Sequence, residues 1–129
     1  MPQASRRPEQ GSAVAEFSLV SVLLVALVLG IAQVGLAIHV RNTLAACAAE
    51  GARLAANADR TLAHGVAHTR SLIATALSPG MAGDVQARHR PGPAGLEVEV
   101  EVAAPLPVLG LAGPARSLRV QAHALEEAP

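Results

Sequence analysis

An uncharged, mostly apolar run from Phe17 to Ile38 limits the possible folds of this chain more than any other feature. As a helix with ~1.5 Å rise per residue, the run covers roughly 33 Å, and a membrane-spanning helix needs about 20 apolar residues. The run therefore predicts a transmembrane helix at 12–39. A single carboxylate, Glu16, stands directly before the run, and its charge at the edge of hydrocarbon makes it a candidate functional residue.

The residues around Glu16 form a recognisable pattern, Gly11-Ser12-Ala13-Val14-Ala15-Glu16-Phe17. Together with the polar leader before it, this pattern resembles the processing signal of type IVb pilins and their pseudopilins. In that family a membrane aspartyl prepilin peptidase cuts after the glycine. The resemblance thus implies a cut between Gly11 and Ser12, with Glu16 and Phe17 opening the helix that carries subunit assembly.

A second segment strengthens the resemblance. Ala48-Ala49-Glu50-Gly51-Ala52-Arg53-Leu54-Ala55-Ala56 is similar to the stretch that follows the membrane helix in TadE-like proteins of tight-adherence (Flp) pilus systems. The C-terminal layout, two alternating strands around a connector rich in Pro, Leu and Gly, is also similar. Many TadE-like helices carry a proline six residues after the glutamate, whereas this chain has Val22 there, so we expect an unbroken helix.

The resemblance implies a pseudopilin or minor pilin that supports assembly of a Flp/Tad-type pilus in adhesion or secretion. Its implied partners are the prepilin peptidase, other pilins or pseudopilins, the Tad membrane assembly platform and the lipid bilayer. A second interpretation is an uncleaved single-pass anchor that presents a small extracytoplasmic binding module. Glu16 has two interpretations. It either pairs with the new α-amine of Ser12 in an adjacent subunit, or it is simply stabilised by the helix dipole and headgroup water.

Charge predicts the orientation in the membrane. Arg6 and Arg7 in the leader, residues 1–11, should stay cytoplasmic, which places the chain after His39 outside the cell membrane or in an extracellular pilus. The formal net charge is zero and gives no electrostatic footprint for nucleic acid. We therefore expect no DNA or RNA partner.

Beyond the membrane, the pattern predicts a helical region at 40–78. Asn57 and Asp59 are expected to end the first helix and cap a second one, which should run from about Arg60 to Leu77 with a narrow apolar stripe. Residues 79–95 are rich in Gly and Pro and are interpreted as an exposed linker.

The last region, 96–126, should form a hairpin-like sheet. Leu96–Val102 alternates apolar residues with three glutamates, and Ser117–Leu125 repeats the alternation more weakly. Paired antiparallel, the glutamates would face Arg119 and His123. The predicted fold class is α+β and pilin-like: a long N-terminal transmembrane helix continuing into a helical segment, a second short helix and a small antiparallel sheet.

Two further segments leave alternatives open. Pro105–Leu111 is too apolar for an ordinary exposed loop, so it either contacts the membrane or a neighbouring subunit, or folds back on its own sheet. Cys47 is either a small helix-packing residue or a thiol open to an intermolecular disulfide. Leu44–Cys47 matches a lipoprotein cleavage box, but polar residues separate it from the apolar run, so lipidation is not expected.

No catalytic pattern stands out. His64 and His68 have the spacing of two metal ligands on a helix, but no carboxylate completes a site, and a solvated face is the better interpretation. The sequence contains no P-loop, no GxSxG motif and no paired carboxylates in an apolar setting. We expect no enzyme activity, no cofactor and no bound metal.

Overall fold

A computed structural model describes residues 10–106 and 117–127. The elements in chain order are α1 (Gln10–Ala56), α2 (Leu62–Ala76), a 3₁₀ turn (Pro79–Met81), β1 (Asp84–Gly92), β2 (Gly95–Pro105) and β3 (Ser117–Leu125). The strands form one antiparallel sheet in the order β1-β2-β3. The predicted α+β class is confirmed.

Helix α1 is uninterrupted over 47 residues, as expected from the absence of proline and from the many alanine and leucine residues. It begins at Gln10 and includes Gly11, which the sequence assigned to the leader. The rest of that leader, residues 1–9, lies outside the described residues. The chain divides into two compact units, Met1–Val34 and Gly35–Pro129, and α1 contributes residues to both.

The start of α2 differs from the prediction. Thr61, not Asp59, caps this helix: the Thr61 hydroxyl accepts from the His64 backbone N–H at 3.4 Å, and His64 Nδ1 accepts from the Thr61 backbone N–H at 3.2 Å. This reciprocal pair satisfies two N–H groups that the first turn leaves free. Asn57 does lie just past the end of α1, and its carbonyl accepts from the Arg60 N–H at 3.0 Å.

The predicted linker at 79–95 is wrong, because most of it forms β1. This strand pairs with β2 from Asp84↔Ala103 to Gly92↔Gly95, and the two are joined by the short turn Pro93-Ala94. Proline is tolerated in β1 because the strand lies at the edge of the sheet. Gly95 closes the turn with φ +142°, a backbone conformation that favours glycine.

The predicted antiparallel pairing of the last two strands is confirmed. In β2 and β3, Glu101 lies opposite Gln121, Glu99 opposite His123, and Ala103 opposite Arg119. Val98, Val100 and Val102 are buried on the inner face, as the alternation indicated. Leu96, expected on the same face, remains 49% exposed near the start of its strand. The apolar Pro105–Leu111 segment lies outside the described residues from Pro107 onward.

The core of the Gly35–Pro129 unit contains small aliphatic side chains from α1, α2 and the inner face of the sheet. Its buried members are Val40, Leu44, Cys47, Ala48, Ala52, Ala55, Ala56, Ile73, Ala82, Val85, Val98, Val100, Val102, Ala104 and Val120. The chain after β3 returns to this core, where the Glu127 N–H donates to the Ala56 carbonyl at 2.9 Å. That bond satisfies a carbonyl that the end of α1 would otherwise leave free.

Candidate functional site at the start of the apolar helix

The first part of α1 exposes almost all of its apolar side chains. Phe17 is 74% exposed, Ile31 65% and Ile38 55%, and the helix is long and apolar enough to cross a membrane. Its backbone groups are paired within the helix, which is what a hydrocarbon environment requires. The Ser18 hydroxyl is satisfied locally too, since it donates to the Val14 carbonyl at 2.8 Å. This surface is suited to lipid or to other apolar helices, and it indicates a membrane anchor.

Ser12 and Glu16 come together at the start of this surface. The Ser12 hydroxyl donates to Glu16 Oε1 at 3.2 Å across one helical turn. Glu16 itself is exposed, and within residues 10–106 and 117–127 it has no cationic partner. One of its oxygens is therefore held toward the N-terminal end of the helix by a neutral donor, while its charge is left uncompensated within this part of the chain.

Gly11 and Phe17 complete the predicted set, and neither is explained by packing within the described chain. A Cβ atom added to Gly11 would meet nothing within 4 Å. Phe17 is exposed on the turn that carries Glu16. All four predicted residues lie in the first two to three turns of α1, and a side-chain hydrogen bond joins Ser12 and Glu16.

The small residues of the second segment, Ala48–Ala56, are explained by packing between helices. Ala48, Ala52 and Ala55 are buried on one face of α1, and Gly51 lies on the same face, where α2 crosses. A Cβ atom on Gly51 would lie 2.9 Å from the Gly65 carbonyl oxygen. Small residues in this segment thus permit close contact between the two helices, which tertiary packing requires at this point.

The charged residues of that segment lie on the opposite side. Arg53 and Glu50 approach to 3.6 Å with side chains 74% and 54% exposed. An exposed pair of this kind contributes only a few tenths of a kcal/mol. This agrees with a solvated helix face.

The sequence did not reveal a buried carboxylate on the outer face of the sheet. Glu99 is 1% exposed and is covered by arginines from β1 and a histidine from β3. Arg90 Nη1 lies 3.2 Å and His123 Nε2 3.0 Å from Glu99 Oε2, and Arg88 pairs with the other oxygen. Arg90 and His123 also approach each other to 3.0 Å, which links the two edge strands across β2. The expected pairing of the glutamates with the Arg119 and His123 face indicated the contact with His123, but it did not indicate Arg88 and Arg90, which come from β1.

Cys47 and the two histidines of α2 show no ligand-binding geometry. Cys47 is 7% exposed in the core, and burial raises the pKa of its thiol. The nitrogen Nδ1 of His64 is occupied in the helix cap. Across the described ranges, no three His, Cys, Asp or Glu side chains come together as metal ligands. The burial of Cys47 agrees with its interpretation as a helix-packing residue.

Comparison with known proteins adds one finding. A family model of TadE-like proteins matches residues 11–53, about a third of the chain. No curated protein and no solved structure matches the chain. The matched range begins at Gly11, contains the Ser12–Glu16 contact and the whole apolar run, and ends in the second recognised segment at Arg53. Residues 11–53 are therefore similar to TadE-like proteins, and the chain after Arg53 lies outside the match.

Proposed function

We propose that this protein is a pseudopilin or minor pilin that supports assembly of a Flp/Tad-type pilus in adhesion or secretion. The observation that carries the proposal is the position of Glu16. A single carboxylate, with no cationic partner among the described residues, stands at the start of an exposed apolar helix, one turn after the Gly11-Ser12 bond. The proposal assigns the chain no catalytic activity and no cofactor.

Maturation by a prepilin peptidase would give Glu16 a cation. Cutting after Gly11 creates an ammonium group on Ser12, the residue whose side chain already contacts Glu16 at 3.2 Å. In hydrocarbon or between packed helices, the cost of a lone carboxylate falls when it meets an opposite charge. The ammonium of one subunit would then pair with Glu16 of the next as helices bundle, and Phe17 would pack in the same interface.

The space around the Gly11 Cβ position is a second observation that supports the proposal. Among the described residues, nothing within 4 Å of this position prevents a larger side chain. The described part of the chain therefore gains nothing from glycine at this position. A peptidase that must approach the backbone closely would explain it.

The proposed orientation follows the positive charges of the leader. Residues 1–11 would lie in the cytoplasm, and the Gly35–Pro129 unit would lie outside. Other pilins or pseudopilins, the Tad assembly platform and the prepilin peptidase would be its partners.

A substitution at Gly11 tests the proposal against the alternative of an uncleaved membrane anchor. The full chain is co-expressed with a prepilin peptidase, and its intact mass is measured for the natural sequence, Gly11→Leu and Gly30→Leu. Gly30 is a matched control because it is another α1 glycine with open space around it. We expect loss of residues 1–11 from the natural chain and from Gly30→Leu, but not from Gly11→Leu. Full-length mass for all three would support the uncleaved anchor instead.

A further inference from the structure

A polar cleft of about 460 Å³ opens between α1 and β3 within the Gly35–Pro129 unit. Its lining residues are Arg41, Asn42 and Ala45 from α1 and Arg119, Val120 and Gln121 from β3. Two guanidinium groups and two side-chain amides thus surround one cavity, and none of these six residues is acidic. The cleft combines fixed positive charge with hydrogen-bond donors.

Arg41 is the first charged residue after the apolar run. It follows Ile38 by three residues, so its Cα lies roughly 4.5 Å farther along the helix axis. Arg41 is exposed, and no described carboxylate forms an ion pair with it. In a membrane-spanning helix this position corresponds to the headgroup layer, where arginine side chains meet lipid phosphates.

The Arg119 guanidinium can donate further hydrogen bonds although it already forms an ion pair with Glu101. Its Nη1 lies 2.9 Å from Glu101 Oε1, but a guanidinium group has five N–H donors in a planar fork. Glu101 also lies 3.9 Å from Arg88 Nη2, but Arg88 pairs more closely with Glu99. Glu101 therefore offsets the charge of Arg119, and the excess positive charge of the cleft is that of Arg41.

We propose that this cleft binds the phosphate group of an anionic lipid headgroup. Arginine suits phosphate because its fork can donate two parallel hydrogen bonds. The Asn42 amide can supply a further polar contact, and the Gln121 amide has a second N–H besides the one that donates to Glu101 Oε2 at 3.4 Å. The lipid, as the source of the phosphate, follows from the position of Arg41 beside the apolar run. The inference rests on the membrane-spanning assignment in the proposed function and adds a specific headgroup contact to it.

Native mass spectrometry of the full chain tests the proposal. The chain is incubated with short-chain lipids in detergent and is then released from the detergent for the measurement. Bound phosphatidylglycerol and phosphatidylcholine are compared for the natural chain, Arg41→Gln, the double variant Arg41→Gln/Arg119→Gln, and Arg70→Gln. Arg41→Gln breaks no ion pair among the described residues, so we expect it to fold even if the double variant does not. Arg70 is a matched control, an exposed arginine of α2 outside the cleft.

We expect preferential binding of phosphatidylglycerol by the natural chain. Arg41→Gln should weaken it about fivefold, the double variant more than tenfold, and Arg70→Gln less than about twofold. Equal binding by Arg41→Gln and Arg70→Gln, or equal binding of both lipids, would overturn the proposal. Displacement of the lipid by equimolar inorganic phosphate would overturn the lipid as the source.

A parallel measurement separates failure of this inference from failure of the proposed function. Resistance of the full chain to alkaline extraction from membranes reports whether it is an integral membrane protein, independently of the cleft. A chain that resists extraction but shows no preference for phosphatidylglycerol contradicts the cleft proposal alone. A chain that is extracted contradicts the membrane-spanning assignment, and both proposals fail with it.

Discussion

Gly51 of α1 and Gly65 of α2 lie against each other where the two helices cross. A Cβ atom on Gly65 would lie 2.7 Å from the Gly51 carbonyl oxygen and 2.6 Å from the Cβ of Ala55. Thr69 fills the adjoining space, where its buried hydroxyl donates to the Gly65 carbonyl at 2.8 Å. Gly51 therefore has a packing role, whereas an added Cβ atom on Gly11 meets none of the described residues within 4 Å.

Gly51→Ala should destabilise the Gly35–Pro129 unit. Alanine favours a helix by about 1 kcal/mol, but its methyl group would collide with the Thr69 hydroxyl and the Gly65 backbone, so we expect a net loss of about 1–3 kcal/mol in unfolding free energy. Denaturant unfolding of the detergent-solubilised chain measures this change. Gly30→Ala, with nothing within 4 Å of its Cβ position, is the control and should lose no stability. Equal unfolding midpoints for the two variants would show that α1 and α2 can move apart to accept the methyl group at Gly51 with no loss of stability.

Glu99→Gln tests the charge cluster on the outer face of the sheet. Removing the charge weakens the contacts with Arg88, Arg90 and His123, and we expect a loss of about 2 kcal/mol in unfolding free energy. The loss is moderate because Arg88 and Arg90 are 61% and 55% exposed and can be solvated by water. Thermal unfolding by circular dichroism gives the comparison.

The control for Glu99 is Glu97→Gln, on the same face of β2. Glu97 is partly exposed, and the structure gives it no ion pair with any described residue. Its substitution should change stability by less than about 0.5 kcal/mol. Similar losses of unfolding free energy for both substitutions would mean that the buried contacts of Glu99 do not stabilise the fold more than the partly exposed Glu97 does.

Local patterns predicted most of the fold, and what they missed depends on contacts between distant segments. The long apolar helix and the alternating Leu96–Val102 strand are visible in short windows of sequence. Strand β1 was missed because its proline and neighbouring glycines are typical of a linker, and only pairing with β2 orders them. Burial of Glu99 was missed for the same reason, since Arg88 and Arg90 reach it from β1.

The same difference between local and distant contacts applies to the candidate site and to the cleft. Gly11, Ser12, Glu16 and Phe17 follow one another in sequence, so their proximity on a helix could be predicted. The cleft between Arg41 and Arg119 joins residues far apart in the chain, and no local pattern indicates it.

Cys47 should react slowly with alkylating reagents, and the rate should increase with pH. Burial raises the pKa of its thiol, so at neutral pH the reactive thiolate is scarcer than in the unfolded chain. Iodoacetamide labelling followed by mass spectrometry measures the rate, with the chain unfolded in denaturant as the control. Folded and unfolded chains labelled at the same rate at neutral pH would place Cys47 at an accessible surface.

Glu16→Ala should separate processing from assembly. The substitution leaves Gly11 and Ser12 unchanged, so we expect leader removal to continue, whereas co-purification with other pilins should fall sharply because the carboxylate proposed to pair with the next subunit is gone. Glu50→Ala is the control, since Glu50 is an exposed carboxylate of the same helix. If both variants co-purify equally well, Glu16 takes no part in assembly.

The N-terminal sequence of the protein, isolated from membranes that contain a matching prepilin peptidase, tests the central claim most directly. The proposed function predicts that the mature chain begins at Ser12, with Glu16 as its fifth residue. A chain that begins at Met1 or Pro2 would contradict processing and leave a membrane-anchored module.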